Sequence, residues 1–558
     1  MLDTPTVSAA SAEESAPARP EASAEPTAAR RADFRLYWSV AGLVILLGAA
    51  LRVRQWMFGR GMWGDELFIA HNIHDRNFEL LLRPLTYSQS APIGWLWLER
   101  IALLAFGAGE QALRLVPLLY GLALLPLVAY FGWRLMSKPA AWATITLVAV
   151  APQLIAYSNQ VKQYSSEAFW VTLIVCIAVL LAQRDRLSWR AGIVFWVAAG
   201  VGVTMSALAI PVAGALAVLL VLQRLAERGR TRQERLRNLG RFMAAIPVWL
   251  VLLVTMGLPM YRASQADPLL RAFWERAHVY PERPLTDLPA TWAWFTDKVT
   301  GLGTDPLEMW SLTLFLLILL LGAVLCWRRI GGLSVAMLLL PIAVGLGGGA
   351  VSAYPLTGRL AVYAVPTLII LAGFAASSPS AASASSAASP PLATRSVLGW
   401  VRCAVALVGI AVLMGPQLRT DVDGLRHPAS AYMMGSGGNL SEYREALRYV
   451  ADHKQPGEAF LVTRESSNAQ SYYGPTADGI IYPAEAGACP GVNAATQLAG
   501  RTRLWLYETT DYTDEENKVL NERLGKGATI SEHLFRGARV LLIELPTGST
   551  AGTDVCIL

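Results

Sequence analysis

Apolar runs and short polar stretches alternate along most of this chain, on a length scale that suits helices crossing a bilayer. The first run, Leu36 to about Val53, follows Arg30, Arg31 and Arg35. Later runs cover Leu113 to Trp133, Trp142 to Tyr157, Ala168 to Gln183, two within Ala191 to Leu222, Phe242 to Met260, Trp310 to Leu325, Leu333 to Val351, Leu360 to Ala375 and Val397 to Met414. Counted against the roughly twenty apolar residues a span requires, they predict about eleven transmembrane helices. The segments Asp65 to Leu82 and Ile93 to Phe106 carry charges within short apolar patterns. They are predicted to lie along one membrane face, with Trp95 and Trp97 at headgroup depth.

Arginine clusters supply the orientation. Arg184, Arg186 and Arg190, then Arg224 to Arg241, then Arg328 and Arg329, fall at alternate connections, which the positive-inside rule places in the cytoplasm. The N-terminus is then inside, and an odd number of spans puts everything after Gly415 on the outer side of a cytoplasmic membrane. Residues 1–35, rich in Ala, Glu, Pro and Ser, are expected to form a disordered tail. Residues 36–415 form the membrane domain. Its outer loops are 58–112 and 260–307; in the second, Trp274, Trp292, Trp294 and Tyr280 suit a membrane-facing cap and a sugar platform equally. An Ala/Ser-rich cytoplasmic loop spans 376–395.

Residues 416–558 mix helix-like and strand-like patterns. Asn439 to Glu442 reads as a capping box for a helix through His453, Asp514 to Leu524 as a second helix, and Phe460 to Thr463, Arg503 to Tyr507 and Val540 to Leu545 as strands. A small extracytoplasmic α/β domain is expected, in a compartment that permits a Cys489–Cys556 disulfide.

Composition agrees. The 558 residues are 54% hydrophobic and 16% charged, with mean hydropathy +0.39 and a pI near 9.0. The net charge of +6 is accounted for by the orientation clusters, so nucleic acid is discarded as a partner.

Four polar stretches on the outer side carry the candidate chemistry. Gly61-Met62-Trp63-Gly64-Asp65-Glu66-Leu67 sets two adjacent carboxylates just beyond the first span. Tyr87-Ser88-Gln89-Ser90-Ala91-Pro92 lies in the same loop, with Arg114 at the start of the next span. Tyr157-Ser158-Asn159-Gln160-Val161-Lys162-Gln163-Tyr164 ends the third span, and Tyr354-Pro355-Leu356-Thr357-Gly358-Arg359 forms a late turn.

Together these stretches resemble the GT-C membrane glycosyltransferases, in particular the bacterial family related to protein O-mannosyltransferases and the lipid A aminoarabinose transferase. That family pairs an Asp-Glu in the first outer loop with a Tyr-Ser-Gln-Glu-x-Arg-x-Tyr-like motif and a late Tyr-Pro-x-x-x-Arg turn. The resemblance implies an α-helical polytopic fold that transfers a sugar from a polyprenyl-phosphate donor to a lipid, glycan or protein acceptor. It implies Asp65 as general base with Glu66 as helper, and Lys162 and Arg359 as the cations that meet the departing phosphate. Tyr87, Gln89, Arg114, Tyr157, Gln160, Gln163 and Tyr164 become the expected substrate contacts.

Where relatives have Gln-Glu-x-Arg, this chain has Asn159-Gln160-Val161-Lys162. One carboxylate is therefore missing, so no cofactor is expected and a divalent metal is not favoured. Two rival readings remain at this stage. One is a multispan transporter or flippase of lipid-linked substrates, with Asp65, Arg114 and Arg359 as pathway charges. The other is a non-catalytic scaffold for the C-terminal domain.

Overall fold

The computed structural model describes residues 25–227, 231–281, 286–378, 392–428, 441–462, 466–474, 480–481, 502–509 and 529–544. The expected Cys489–Cys556 pairing, the helix at Asp514 to Leu524 and most of the Ala/Ser-rich loop fall outside these residues.

Helix α1 (Glu25–Phe58) starts inside the stretch expected to lack order. Ala28, Ala29, Arg30, Arg31 and Ala32 are strong helix formers, so the span propagates backwards through them. After it come α2 (Gly64–Asp75), α3 (Ile93–Phe106) and the single turn α4 (Glu110–Leu113), which leads into α5 (Leu115–Leu135). Helices α6 (Lys138–Val150), α7 (Pro152–Tyr157), α8 (Tyr164–Ala182), α9 (Trp189–Met205) and α10 (Ala209–Ala226) follow. Next is a long interrupted helix, α11 (Arg232–Met243), α12 (Ile246–Leu252) and α13 (Leu258–Ala266), with a π-helical turn at Leu253–Gly257.

The second long loop is built of α14 (Pro268–Arg276) and α15 (Leu288–Thr304). Helices α16 (Leu312–Ile330), α17 (Gly332–Ala350), α18 (Val365–Gly373) and α19 (Leu392–Arg426) complete the membrane part. Among the described residues, nine helices are long and apolar enough to cross a membrane, and α6 and α9 are shorter apolar helices. The apolar runs of the sequence fall on these helices, except that Trp142 to Tyr157 is divided at Ala151 between α6 and α7.

Close backbone approach holds the bundle together. A Cβ at Gly48 of α1 would stand 2.9 Å from that of Ala149, and one at Gly121 of α5 would stand 2.5 Å from that of Ser158. Small residues at such crossings are how helices pack in lipid, where no hydrophobic force drives them together. Buried Arg52 ties α1 to α6 by donating to the Val148 and Ala149 carbonyls.

Helices α20 (Tyr443–His453) and α21 (Ser467–Tyr473) pack with a five-stranded sheet of β1 (Ala459–Val462), β2 (Ile480–Ile481), β3 (Arg503–Glu508), β4 (Thr529–Phe535) and β5 (Ala538–Glu544). The strand order is β2-β1-β3-β5-β4, parallel across β2, β1 and β3 and antiparallel across β3, β5 and β4. Leu504 to Tyr507 are all buried, so β3 is the covered centre of the sheet. The capping box read at Asn439 to Glu442 begins outside the described residues; Glu442 accepts from the Arg536 backbone N–H at the β4–β5 turn.

Two buried cores organise the molecule. The larger lies in the helical bundle. The smaller joins Leu67, Ile73 and Trp95 of the first loop to Leu447, Phe460 and Trp505 of the C-terminal domain. The first loop and that domain therefore stand on the same face. Trp95 is fully buried in this core and not at headgroup depth, because α3 packs against α2, α5 and α9.

At Gly322 of α16, a Cβ would come within 2.1 Å of the Leu371 carbonyl oxygen on α18. Gly322→Ala should therefore destabilise the bundle by about 1–3 kcal/mol, read as a lowered Tm in detergent.

Candidate functional site

Helix α2 opens with Asp65 and Glu66 in its first turn, where the helix dipole favours negative charge. Being adjacent, the two carboxylates point to different surroundings, and each meets a different cation. Glu66 is fully buried against Arg114, which donates through Nε to Oε1 (3.0 Å) and through a second nitrogen to Oε2 (2.8 Å). Glu66 Oε1 also accepts the Val161 backbone N–H at 2.7 Å. Arg114 continues to the carbonyls of Arg60 and Gly61. One buried pair thus joins the Gly61–Leu67 turn, the start of α5 and the loop between α7 and α8.

Asp65 faces the other way. Lys162 Nζ lies 3.0 Å from Oδ1 and an Arg359 guanidinium nitrogen 3.0 Å from Oδ2. Their side chains are 17% (Asp65), 6% (Lys162) and 29% (Arg359) exposed, so these charges interact largely out of water. Burial alone would raise the Asp65 carboxyl, but Lys162 and Arg359 together hold it below the usual carboxylate range. Burial acts the other way on Lys162, whose ammonium is lowered despite Asp65 beside it. Gln89 accepts from Lys162 Nζ at 2.7 Å. Arg359 also lies over the Trp63 ring, 5.2 Å from its centroid.

These groups open onto a cavity of about 950 Å³. Of the residues expected from sequence, Asp65, Gln89, Lys162, Gln163, Tyr164 and Arg359 line it. Glu66 and Arg114 are bound to each other behind it. Tyr157 is buried with its ring centroid 5.2 Å from that of Tyr164, and Gln160 is buried beneath the wall. Tyr87 faces a different cleft. The tryptophans of the second loop divide: Trp274 and Tyr280 line the cavity, Trp294 is buried and donates to the Val279 carbonyl, and Trp292 is exposed.

Two further lining residues stand out, Glu167, which the sequence reading did not single out, and one within the quoted Tyr354–Arg359 stretch. Glu167 lies one turn below Tyr164, because α8 begins at Tyr164, before the apolar run expected from Ala168. An acid three residues beyond the quoted motif was the available signal. The other is Tyr354, whose hydroxyl donates to the Leu360 carbonyl and shapes the turn that carries Arg359. Among the described residues no three His, Cys, Asp or Glu side chains come together in a way that could hold a metal ion.

No protein-family model matches the chain, and no curated protein matches it by sequence. Solved structures do. ArnT from Cupriavidus metallidurans in the apo state superposes with a TM-score of 0.52 at 17% identity, over 92% of this chain and 98% of that one. The same protein bound to undecaprenyl phosphate gives 0.48 at 17% identity, over 94% and 99%. The archaeal oligosaccharyltransferase AglB from Archaeoglobus fulgidus, in complex with an inhibitory peptide and a dolichol phosphate, gives 0.44 at 15% identity, over 85% and 69%. The likeness to the first is one of fold: this chain has the GT-C fold of membrane glycosyltransferases, with a small C-terminal sheet.

Removing one partner of a buried ion pair strands the other, at about 3–5 kcal/mol. Arg114→Met should therefore lower the Tm sharply. The double variant Glu66→Gln/Arg114→Met should recover much of the loss, which thermal unfolding of the three proteins checks.

Proposed function

We propose that the chain is a glycosyltransferase that moves a hexose or pentose from polyprenyl phosphate to an acceptor hydroxyl, at the outer face of the cytoplasmic membrane. One observation carries this reading: a single carboxylate held between two cations on the wall of a large cavity. Transfer breaks the bond between the anomeric carbon and a phosphate oxygen and forms one to the acceptor oxygen. It calls for a proton acceptor on one side and positive charge on the other. Asp65 takes the acceptor's proton. Lys162 and Arg359 neutralise the polyprenyl phosphate as it leaves, while Gln163 and Tyr164 contact the donor. The cavity wall formed by Leu208, Ile210, Pro211, Leu258, Met260 and Val344 suits the isoprenoid chain.

Glu66 and Arg114 act in this account by position, setting the α2 turn against the loop that carries Lys162. The cations that face the phosphate are also the partners that hold Asp65 in check. A phosphate drawing on their charge raises the basicity of Asp65, so the base is strengthened when the donor is bound. Charge neutralisation by Lys162 and Arg359 leaves no step that calls for a divalent metal. The same reading puts the N-terminus inside, takes residues 36–415 as the transferase domain and residues 416–558 as a domain outside.

Radiolabelled transfer from a polyprenyl-phosphate sugar by the purified chain tests the reading. Asp65→Asn should lower the rate by about 10²–10⁴-fold, the contribution of a general base. Undiminished transfer would sink the mechanism, and movement of the lipid-linked sugar across vesicles without transfer would put a flippase in its place. Transfer should persist in excess EDTA.

The pH profile has a defined sign. Asp65 is depressed in the free protein, so the acidic limb of kcat/KM should lie below the usual carboxylate value of about 4. Phosphate raises it, so the limb of kcat should lie at higher pH than that of kcat/KM. Lys162→Met should move the kcat/KM limb upward.

A further inference from the structure

A second cleft, of about 840 Å³, opens between the first loop and the C-terminal domain. Helix α2 supplies His71, His74 and Asp75, while α20 and α21 supply Arg444, Arg448 and Tyr472. We propose that this cleft holds the carbohydrate portion of the acceptor, a neutral, hydroxyl-rich chain whose end reaches Asp65. The proposal rests on the transferase reading and names a subsite for its second substrate.

The chemistry of the walls points to sugar. Aromatic rings and polar groups alternate: Tyr472 meets His71 edge-on at 5.4 Å, and Tyr87, 45% exposed, lies 5.9 Å from His71. Such mixed surfaces offer flat faces for sugar rings together with donors and acceptors for hydroxyls. Among the described lining residues formal charge balances, with two arginines against Asp75 and Glu110, which suits a neutral polyol better than a phosphate. Apart from Leu447 the described lining residues include no large aliphatic side chain, so this lining is a poor receptacle for a lipid tail. Among the described residues no strand edge lines it either, so the lining offers no ladder for a peptide that binds by adding a strand.

Its position relative to the reacting centre fits an extended acceptor. Asp65 and His74 lie on one helix, nine residues apart in sequence, which is about 13 Å at 1.5 Å per residue. A few linked sugar units bridge that length. The partition between cleft and cavity is the segment from Tyr87 to Gln89: Tyr87 lines the cleft, and Ser88 and Gln89 line the cavity. Tyr87 and Ser88 adopt φ of 60° and 49°, a left-handed backbone that non-glycine residues adopt at an energetic cost. Gln89, the next residue, holds Lys162. An acceptor pressing on Tyr87 thereby acts on a segment one residue removed from the Lys162 contact.

The test uses the full-length chain in detergent and saturation-transfer NMR. One probe is undecaprenyl phosphate; another is neutral oligosaccharide released by mild acid from the envelope of the producing cells; a third is a tryptic digest of the same envelope. Oligosaccharide ring protons should receive saturation from the wild type. The signal should be roughly tenfold weaker with the His74→Ala/Arg448→Ala variant, the loss of one or two hydrogen bonds. Both side chains are exposed, so the Tm of this variant should be unchanged, as should its binding of undecaprenyl phosphate.

Absence of oligosaccharide signal from a wild type that binds undecaprenyl phosphate overturns the proposal. So does a signal from the peptides in place of the sugar, or one that survives in the variant. Oligosaccharide binding without undecaprenyl phosphate binding would instead defeat the donor reading and leave the cleft assignment standing.

Discussion

The buried contact between Glu66 and Arg114 is the constraint on which the site depends. A carboxylate and a guanidinium are costly to remove from water, and they are tolerated here because two parallel hydrogen bonds and a backbone N–H satisfy them together. Their bonds reach the turn before α2, the start of α5 and the loop carrying Lys162. Three segments that would otherwise be independent loops are thus held in one register. Asp65, the next residue along, is aimed into the cavity because Glu66 is anchored away from it.

The Asp65, Lys162 and Arg359 contacts form a second layer built on that anchor. A single carboxylate between two cations leaves one net positive charge among the three groups. In the proposed mechanism that charge meets the leaving phosphate, and a phosphate that draws the cations away from Asp65 strengthens it as the base. Among the described residues the C-terminal domain contributes no group to this centre, yet it packs on the first loop through a shared core and forms one wall of the second cleft.

Much of the helical membrane architecture was legible in the sequence, because apolar runs are local signals. So was the grouping of Asp65, Lys162 and Arg359, since polar stretches at span ends on one face must lie near one another. What was not legible depends on distant partners. Trp95 reads as an interfacial ring until α3 is seen to pack against α2, α5 and α9. Glu66 and Arg114 read as two more site charges, and only their mutual burial shows that they serve as a brace. Glu167 was hidden because an acid beside an apolar run resembles a boundary marker, and β4, largely exposed, lacks the buried face by which a strand announces itself.

The central claim is that Asp65 and the phosphate of a polyprenyl carrier draw on the same two cations. Titration of the purified chain with undecaprenyl phosphate, comparing wild type with Asp65→Asn, tests it most directly. Neutralising the carboxylate should release Lys162 and Arg359 to the ligand, so Asp65→Asn should bind roughly tenfold more tightly. Equal or weaker binding by the variant would contradict the account.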